Sequence, residues 1–409
     1  MSAELPNGRW SSVAQAAGLL GPDGTPEATI FARMTALAAR TGSINLGQGY
    51  PDADGPHAVL ESAVHAIRTG HNQYAPGPGI AELRHAIADH VLRHRGLAFD
   101  PDTEVLVTTG ATEAIAAAVL ALTVPGDEVL VLEPFYDSYA AVIALAGAVR
   151  RTVRLHPPNE STRRWHLDPE ELRAAVGPRT RVILLNTPHN PTGAVLTRAE
   201  LEAVAAAAIT HNTLVVTDEV YEHLVYDDAV HIPIATLPGM AERTLTISSA
   251  GKTFSVTGWK IGWACGPAPL VDAALAVKQF LTYTSGAPLQ PAIALALGLD
   301  DAIADLRASL QDRRDALCSG LRSAGFDVIV PEATYFVIAD AATVGASDAV
   351  TFCQELPRHA GVVAIPVTAF TTPGGDAATA LATHVRFAFC RSAQDIATAC
   401  ERLADTSWG

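Results

Sequence analysis

From about residue 60 to about residue 295, helical stretches rich in alanine and leucine alternate with short runs rich in β-branched residues. Alternation of this kind predicts an α/β fold in which a mostly parallel sheet is wrapped by helices. The predicted strands are EVLVTTG, DEVLVLEP, RVILLNTP, NTLVVTDEV, RTLTISSAG and KIGWACG. Polar clusters lie at the C-terminal ends of these runs, where ligands collect in such sheets. We therefore expect a site assembled from loops that are distant in sequence.

The pattern changes after Leu297. A long polar helical segment is followed by two stretches that predict the strands of a second, smaller domain, FDVIVPEATYFVIAD and HVRFAFCR. Residues 1 to about 55 are expected to pack with that domain. The predicted organisation is an N-terminal arm and small-domain segment over 1–55, a large domain over 56–297 and a C-terminal small domain over 298–409.

Composition narrows the class of protein. A chain of 409 residues, of which 49% are hydrophobic, can bury a large core and suggests two or three lobes. The formal net charge of −15, without a basic cluster, argues against a nucleic-acid surface and favours small-molecule chemistry. The first ten residues lack a basic region followed by an apolar stretch, and the alanine-rich runs are too short to span a bilayer. The expectation is a cytoplasmic enzyme that binds no membrane.

The five cysteines are scattered along the chain, without a C-x-x-C pair and without a histidine at zinc spacing. They are expected to be reduced and buried, as small apolar side chains. No metal site is predicted.

The segment SSAGKTFSVTGWK allows three interpretations. A nucleotide-binding P-loop requires glycine at the position of Thr246, so that interpretation fails. Ser249 and Lys252 match the S-x-x-K of penicillin-recognising enzymes, but the companion S-D-N and K-T-G elements are absent. A lysine that holds a cofactor is favoured because lysine is scarce in a chain rich in arginine, which cannot replace a reactive amine. The three lysines are Lys252, Lys260 and Lys278.

An aromatic aldehyde with a phosphate tail, such as pyridoxal phosphate, needs a lysine, a carboxylate for its ring nitrogen and donors for its ring hydroxyl. In VVTDEVYEHL, Asp218 ends an apolar strand and Tyr221 follows three residues later, so both side chains can face one ligand. Asn190 lies in the proline-flanked turn NTPHNPTGAV. Each also has a purely structural interpretation, as a helix cap, a core residue and a turn former.

The same cofactor needs a phosphate cradle. VTTGATEAI predicts a strand, a turn of small residues and a helix start, where the amides of Gly110, Ala111 and Thr112 can bind a phosphate. Taken alone this signal is weak, because Thr112 could merely cap the helix.

Together and in this order, these segments resemble the fold type I pyridoxal-phosphate aminotransferases. The likeness is to the class I/II branch that includes kynurenine and cysteine-conjugate enzymes, methionine aminotransferases and actinobacterial N-succinyldiaminopimelate aminotransferases. It runs from INLGQGYPD to VRFAFCR and is strong in NQYAPGPG, EPFYDSY, HNPTG, TDEVYEHL and SSAGKTFSVTGWKIGWACGP. The resemblance implies a large domain with a mostly parallel seven-stranded sheet and a smaller α+β domain.

The resemblance also implies the catalytic roles. Lys252 would form the Schiff base with pyridoxal 5'-phosphate and then move the Cα proton. Asp218 would pair with the ring nitrogen, while Asn190 and Tyr221 would hydrogen-bond the ring oxygen. Tyr136 would stack on the ring, with its neighbour Phe135 as the alternative. The phosphate would be held at Gly110, Ala111, Thr112, Ser249 and Lys260.

Arg386 would bind the substrate α-carboxylate, helped by Gly49 and Asn190. Tyr74 would reach the phosphate in the other subunit, so a homodimer with shared active sites is implied, and a residue between Leu281 and Leu289 would enter the partner's site. The alternative for Tyr74 is a loop anchor. Cis peptides are implied at Glu133-Pro134 and Asn190-Pro191.

The implied reaction is a ping-pong exchange of an amino group between an amino acid and a 2-oxo acid. N-succinyldiaminopimelate with 2-oxoglutarate is the first guess at the substrates, and kynurenine or a neutral amino acid comes next. The same Schiff base could instead support elimination, replacement, cyclisation or oxidation. A regulator that keeps the fold as a sensor is the remaining alternative, against which stand the intact Lys252 and the absence of a DNA-binding segment.

Overall fold

Helices and strands alternate through most of the chain. The computed structural model describes residues 8–21 and 23–408, so residues 1–7 and 22 of the predicted N-terminal segment lie outside the described residues. The α-helices in the described residues are α1 (Arg9–Ala16), α2 (Ile30–Thr41), α3 (His57–Arg68), α4 (Ala81–Arg95), α5 (Gly110–Leu122), α6 (Asp137–Ala146), α7 (Pro169–Ala175), α8 (Arg198–His211), α9 (Ala250–Thr253), α10 (Ala268–Lys278), α11 (Gln290–Ala296), α12 (Asp300–Ser323), α13 (Ala349–His359), α14 (Asp376–Ala380) and α15 (Ala393–Ala404).

The β-strands of the same residues form one large and two small sheets. They are β1 (Ile44–Asn45), β2 (Val105–Thr109), β3 (Glu128–Glu133), β4 (Val149–His156), β5 (His166–Leu167), β6 (Thr180–Asn186), β7 (Leu214–Asp218), β8 (Thr244–Ser249), β9 (Ile261–Cys265), β10 (Asp327–Ile329), β11 (Phe336–Asp340), β12 (Val362–Val363), β13 (Ile365–Pro366) and β14 (His384–Ala388).

The large sheet has the strand order β2-β9-β8-β7-β6-β3-β4-β5. The run from β8 to β4 is parallel, whereas β9 is antiparallel to both of its neighbours. The prediction of a mostly parallel sheet is confirmed, and all six predicted strands are present. The expected count of seven strands is wrong, because the sheet has eight. The additional strand, β5, pairs with the end of β4 over two residues and is too short for a sequence pattern to reveal.

Helices cover both faces of this sheet because successive side chains of a strand point to opposite sides. In β6, Val182 and Leu184 pack against α5 and α6, while Ile183 and Leu185 pack against α7 and α8. A strand buried on both faces is apolar at every position, which is why the sequence pattern identifies it.

The smaller part of the fold contains a four-stranded antiparallel sheet in the order β10-β11-β14-β13, with α12 and α13 packed against it and α15 packed on α12. The parallel pair β1 and β12 extends this region. As expected, α2 and β1 from the N-terminal segment lie here. The first helix does not, because α1 packs on α6 of the large domain, where Arg9 donates to the carbonyl of Leu145. The exact domain boundaries stay a prediction.

The chain that follows β7 joins the two parts. Leu224 and Tyr226 belong to the same apolar cluster as the small sheet. The Tyr226 ring lies 6.0 Å from that of Phe389, and its hydroxyl donates to the carbonyl of Thr334. This contact fixes the small sheet against the edge of the large sheet at which the parallel strands end.

Two further expectations concern the backbone and the cysteines. The peptides Glu133-Pro134 and Asn190-Pro191 are cis, as predicted, and Thr187-Pro188 is a third cis peptide. All five cysteines are free, and all but Cys400 are buried. Within residues 8–21 and 23–408, none of the helices is long and apolar enough to cross a membrane.

Gly262 of β9 lets the backbone at the start of α5 approach this strand closely. A Cβ on Gly262 would lie 2.6 Å from the carbonyl carbon of Gly110 and 2.7 Å from the amide nitrogen of Ala111. Because these are backbone atoms, they cannot rotate away. Gly262→Ala should therefore lower the free energy of unfolding by about 1–3 kcal/mol, measured by chemical denaturation.

Gly177→Ala is the matched control, because a Cβ there meets nothing within 4 Å. Equal unfolding free energies for the two variants would contradict the close approach at Gly262.

Candidate active site

A cavity of about 290 Å³ opens where the large sheet ends beside the small one. Twelve of the thirteen predicted site residues line it, although they come from loops spread over more than 300 residues of sequence. They are Gly49, Gly110, Ala111, Thr112, Tyr136, Asn190, Asp218, Tyr221, Ser249, Lys252, Lys260 and Arg386. Tyr74 does not line this cavity in its own chain.

Lys252 lies in α9, the short helix that follows β8 directly. Ser249 caps this helix, since its hydroxyl oxygen accepts a hydrogen bond from the Gly251 amide at 3.2 Å. The Lys252 Nζ donates to the hydroxyl of Tyr335 at 2.7 Å and to the carbonyl of Gly49 at 3.4 Å. Burial lowers the pKa of Lys252 to about 8, so an appreciable fraction of the amine is neutral near pH 7. Such an amine can attack an aldehyde or accept a proton.

Tyr335 is a site residue that the sequence did not reveal. Its hydroxyl donates to the carbonyl of Gly49 at 2.5 Å while accepting from Lys252, and its ring meets that of Tyr221 edge-on at 5.3 Å. In the sequence it is one aromatic residue at the start of an apolar strand, which is indistinguishable from a core residue. The fold makes it a support for the Lys252 amine.

Asp218 is the last residue of β7 and is buried. Burial raises the pKa of its carboxyl group to about 6, while the hydroxyl of Tyr139, which donates to it at 2.6 Å, opposes that rise. The carboxyl group is therefore mostly ionised at pH 7. In the described part of the chain it forms no ion pair, so it can accept a hydrogen bond from a cationic ring nitrogen. The role of Tyr139 was not predicted, because its place in an apolar helical segment is typical of a core residue.

The loop that carries Asn190 is held against the end of β7. Asn186, the last residue of β6, donates to the carbonyls of Asp218 at 2.8 Å and Pro188 at 3.2 Å. Its own side-chain oxygen accepts from the amide of Asn190 at 2.8 Å. Asn186 therefore fixes Asn190 at the cavity wall, a role that the sequence did not reveal.

Tyr136 and Phe135 take different places. Tyr136 lines the cavity, and burial raises the pKa of its hydroxyl to about 12, so the ring stays neutral. Phe135 points into the core between the sheet and α5, and the Arg150 guanidinium lies 4.6 Å from the centre of its ring. Of these two aromatic residues, Tyr136 is thus the one that can stack on a ligand.

The start of α5 forms a polar corner of the cavity. Gly110 adopts a φ of +70°, which turns the chain from β2 into the helix and leaves the first amides free to face a ligand. The Lys260 ammonium lies 3.7 Å from the position that a Cβ on Gly110 would take. Ser249 and Thr257 line the same cavity. Helix amides, hydroxyls and an ammonium are donors suited to a phosphate.

Arg386 of β14 is buried at the opposite side. Its guanidinium donates to the side-chain oxygen of Asn190 at 3.1 Å and to the carbonyl of Gly47 at 3.0 Å, while its Nε has no partner. The Phe336 ring lies 3.9 Å away. Burial lowers the pKa of Arg386 to about 10, so the group stays charged at pH 7. No carboxylate of the described residues pairs with it, which leaves a cation available to an anionic ligand.

Tyr74 lies on the surface. Its side chain is 81% exposed, and its ring contacts that of Tyr283 edge-on at 5.4 Å. Tyr283 belongs to the Leu281–Leu289 segment that was also expected to face a second subunit, so the structure places the two predicted partner-facing elements together.

The site has the parts of a pyridoxal-phosphate enzyme, and comparison with known proteins identifies the family. The family model described as aminotransferase class I and II matches residues 41–403. The chain therefore belongs to the class I and II aminotransferases, which depend on pyridoxal phosphate and act on an amino acid and a 2-oxo acid.

Individual relatives match nearly end to end. The probable N-succinyldiaminopimelate aminotransferase DapC of Mycobacterium tuberculosis (strain CDC 1551 / Oshkosh) is 55% identical over 381 residues, which are 92% of this chain and 95% of that protein. The solved structure of N-succinyldiaminopimelate aminotransferase from M. tuberculosis superposes with a TM-score of 0.91 at 52% identity, covering 98% of this chain and 99% of that one. Kynurenine–oxoglutarate transaminase 3 of Mus musculus is 40% identical, covering 84% and 81%.

The hydrogen bond from Tyr139 to Asp218 generates a prediction about pH. A hydrogen bond to a charged group contributes about 1.5–3 kcal/mol, and one pKa unit corresponds to about 1.4 kcal/mol. Tyr139→Phe removes this stabilisation of the carboxylate, so the pKa of Asp218 should rise above about 6. The acid limb of the pH profile, where activity is lost as the pH falls, should then shift to higher pH by about one to two units. Turnover measured against pH checks this shift.

Tyr226→Phe is the control, because it also removes a buried tyrosine hydrogen bond but lies away from Asp218. An acid limb that stays in place in Tyr139→Phe would show that Tyr139 does not set the ionisation of Asp218.

Proposed function

We propose that this aminotransferase transfers an amino group between N-succinyldiaminopimelate and 2-oxoglutarate in a ping-pong reaction of lysine biosynthesis. The observation that carries the proposal is the buried guanidinium of Arg386, which has no carboxylate partner among the described residues and faces the cavity that holds the Lys252 amine. An α-carboxylate bound there would place the adjacent Cα within reach of Lys252.

The residues fit the cofactor. Lys252 would hold its aldehyde carbon, Asp218 its ring nitrogen, Tyr136 its ring face, and the start of α5 with Lys260 its phosphate. Pyridoxal phosphate, when bound, withdraws electrons from the substrate Cα and so makes the Cα proton acidic. The protein's part is to position that proton and to move it.

Lys252 is the group we assign to proton transfer. With a pKa of about 8, its amine can accept a proton near neutral pH and return it within the same site. The Tyr335 hydroxyl and the Gly49 carbonyl would direct the amine towards the cavity when it is not covalently engaged. The buried position keeps water away from the carbon that loses its proton.

The lining of the cavity around the substrate side chain favours a long amino-group donor. The cations that line the cavity are Lys252, Lys260 and Arg386, and all three already have a role. The wall around the remaining space is largely aromatic, from Phe31, Tyr50 and Phe336. N-succinyldiaminopimelate places apolar methylenes next to its reacting amino acid end and its other carboxylates far from it, which suits such a wall. The name of the 55% identical relative points to the same substrate.

Kynurenine or another neutral amino acid is the second candidate donor. The aromatic wall favours it, and no further cation of the described residues lines the cavity to require a distal carboxylate. A relative at 40% identity bears the name kynurenine–oxoglutarate transaminase.

A panel assay distinguishes these donors. With 2-oxoglutarate as acceptor, N-succinyldiaminopimelate should give the highest kcat/KM, and glutamate and a new 2-oxo acid should form in equal amounts. Lys252→Arg should abolish turnover while keeping the positive charge, because a guanidinium can neither hold the cofactor covalently nor give up its proton.

Two results would contradict this function. Faster reaction of kynurenine or methionine than of the succinylated donor would reject the proposed substrate. Ammonia, hydrogen peroxide or a cyclised product without a second 2-oxo acid would reject transamination in favour of elimination, oxidation or cyclisation.

We further propose a cytoplasmic homodimer whose subunits share their active sites. One exposed apolar surface, which we call the Tyr74 patch, consists of Tyr74, Phe280, Leu281 and Tyr283. Within it, Phe280 is 88% exposed. Thr282, between Leu281 and Tyr283 of the patch, lies near the cavity, with its hydroxyl oxygen 3.1 Å from that of Thr109 at the end of β2. Two copies related by a two-fold axis at this patch would each bring Tyr74 to the phosphate end of the other's cavity.

Phe280→Asp should therefore shift the chain towards the monomer and lower specific activity at low protein concentration, because it introduces a charge into an apolar interface. Sedimentation velocity and a dilution series of activity measure the two effects. Val230→Asp is the control, since Val230 is 68% exposed outside the patch. A fully active monomer would overturn the shared site.

A further inference from the structure

A second group of ionisable side chains lies outside the cavity and is not used by the reaction. His90 and His94 are one turn apart on α4, and Asp300 begins α12. One potential ligand atom from each lies within 4.8 Å of the others. The His223 ring, from the chain after β7, is 4.9 Å from that of His90 and 5.0 Å from that of His94. Three imidazoles and a carboxylate therefore meet at one place.

The hydrogen bonds determine which nitrogen of His90 carries the lone pair that could bind an ion. Its Nδ1 lies 3.1 Å from the carbonyl oxygen of Leu297, which can only accept, so Nδ1 carries the hydrogen. Nε2 therefore has a lone pair, which accepts a hydrogen bond from Nε2 of His223 at 2.8 Å; an entering ion would take the place of this hydrogen. Histidines that bind metals commonly donate their other N–H to a backbone carbonyl in this way.

The other two groups are accessible from solvent. His94 Nε2 lies 3.0 Å from Asp300 Oδ1, and their side chains are 24% and 48% exposed. Arg93 also pairs with Asp300, at 3.2 Å, but this exposed contact is of the kind that contributes little. An ion entering between His94 and Asp300 would thus replace a weak contact by coordination.

We propose that His90, His94 and Asp300 bind a divalent transition-metal ion of the zinc class. Imidazole nitrogens and one carboxylate suit Zn²⁺, whereas Mg²⁺ and Ca²⁺ require oxygen ligands. The site joins α4 of the large sheet to the first residue of α12, which packs on the small sheet. This inference is independent of the substrate assignment.

The sequence analysis did not identify this site. The two histidines are spaced four residues apart on a helix, but Asp300 lies 206 residues beyond His94. A search for cysteines accompanied by histidines cannot find such a set. The proposal therefore replaces the expectation that the chain has no metal site.

The test is equilibrium dialysis of the tag-free holoenzyme against Zn²⁺, followed by metal analysis and zinc X-ray absorption spectroscopy. We expect one Zn²⁺ per chain bound through nitrogen and oxygen. His94→Ala and Asp300→Asn should each weaken binding by more than about tenfold, because each removes a ligand. His71→Ala, at an exposed histidine outside the cluster, should bind like the wild type.

Three results would overturn the proposal. These are no saturable binding to the wild type, unchanged affinity in both His94→Ala and Asp300→Asn, or sulfur ligation in the absorption spectrum, which would place the ion at a cysteine instead. Both variants alter partly exposed side chains, and circular dichroism establishes that they remain folded.

Discussion

Four charged side chains line the cavity, and the protein keeps three of them, Lys252, Asp218 and Arg386, from pairing with each other. Lys252 is held by Tyr335 and the Gly49 carbonyl, Asp218 by the Tyr139 hydroxyl, and Arg386 by an amide oxygen and a carbonyl. Each partner is neutral, so each charge lacks a counter-ion within the described residues. A buried charge without a counter-ion is costly, and ligands that supply the missing charges recover that cost. The affinity for a phosphate-bearing cofactor and for an α-carboxylate therefore follows from the absence of counter-ions for these charges among the described residues.

Much of this arrangement could be predicted because the relevant strands are buried on both faces. Such strands are apolar at every position, so the pattern identifies them, and the polar residue after each must lie at one edge of a parallel sheet. Asp218, Ser249 and Gly110 follow from that rule. In contrast, β4 contains three arginines among only three apolar residues and β5 has two residues, so neither produced a pattern.

The unpredicted site residues share one physical property: in sequence they are ordinary core or turn positions. Tyr139 and Tyr335 are aromatic residues within apolar segments, and Asn186 ends a strand. Only the packing of distant segments turns their polar atoms towards Asp218, Lys252 and the loop of Asn190. The pattern of one chain identifies the groups that carry charge, whereas the groups that orient them depend on tertiary structure.

The contact of Leu224 and Tyr226 with the small sheet has a consequence for how this enzyme could diversify. Lys252 extends from the large sheet and Arg386 from the small one, so the tilt between the sheets sets the span between amine and guanidinium. A misplacement of about 1 Å can slow a reaction about a hundredfold. Substitutions in this joint could therefore change the turnover rate by moving the Cα of the donor relative to Lys252, leaving every residue that meets the cofactor unchanged.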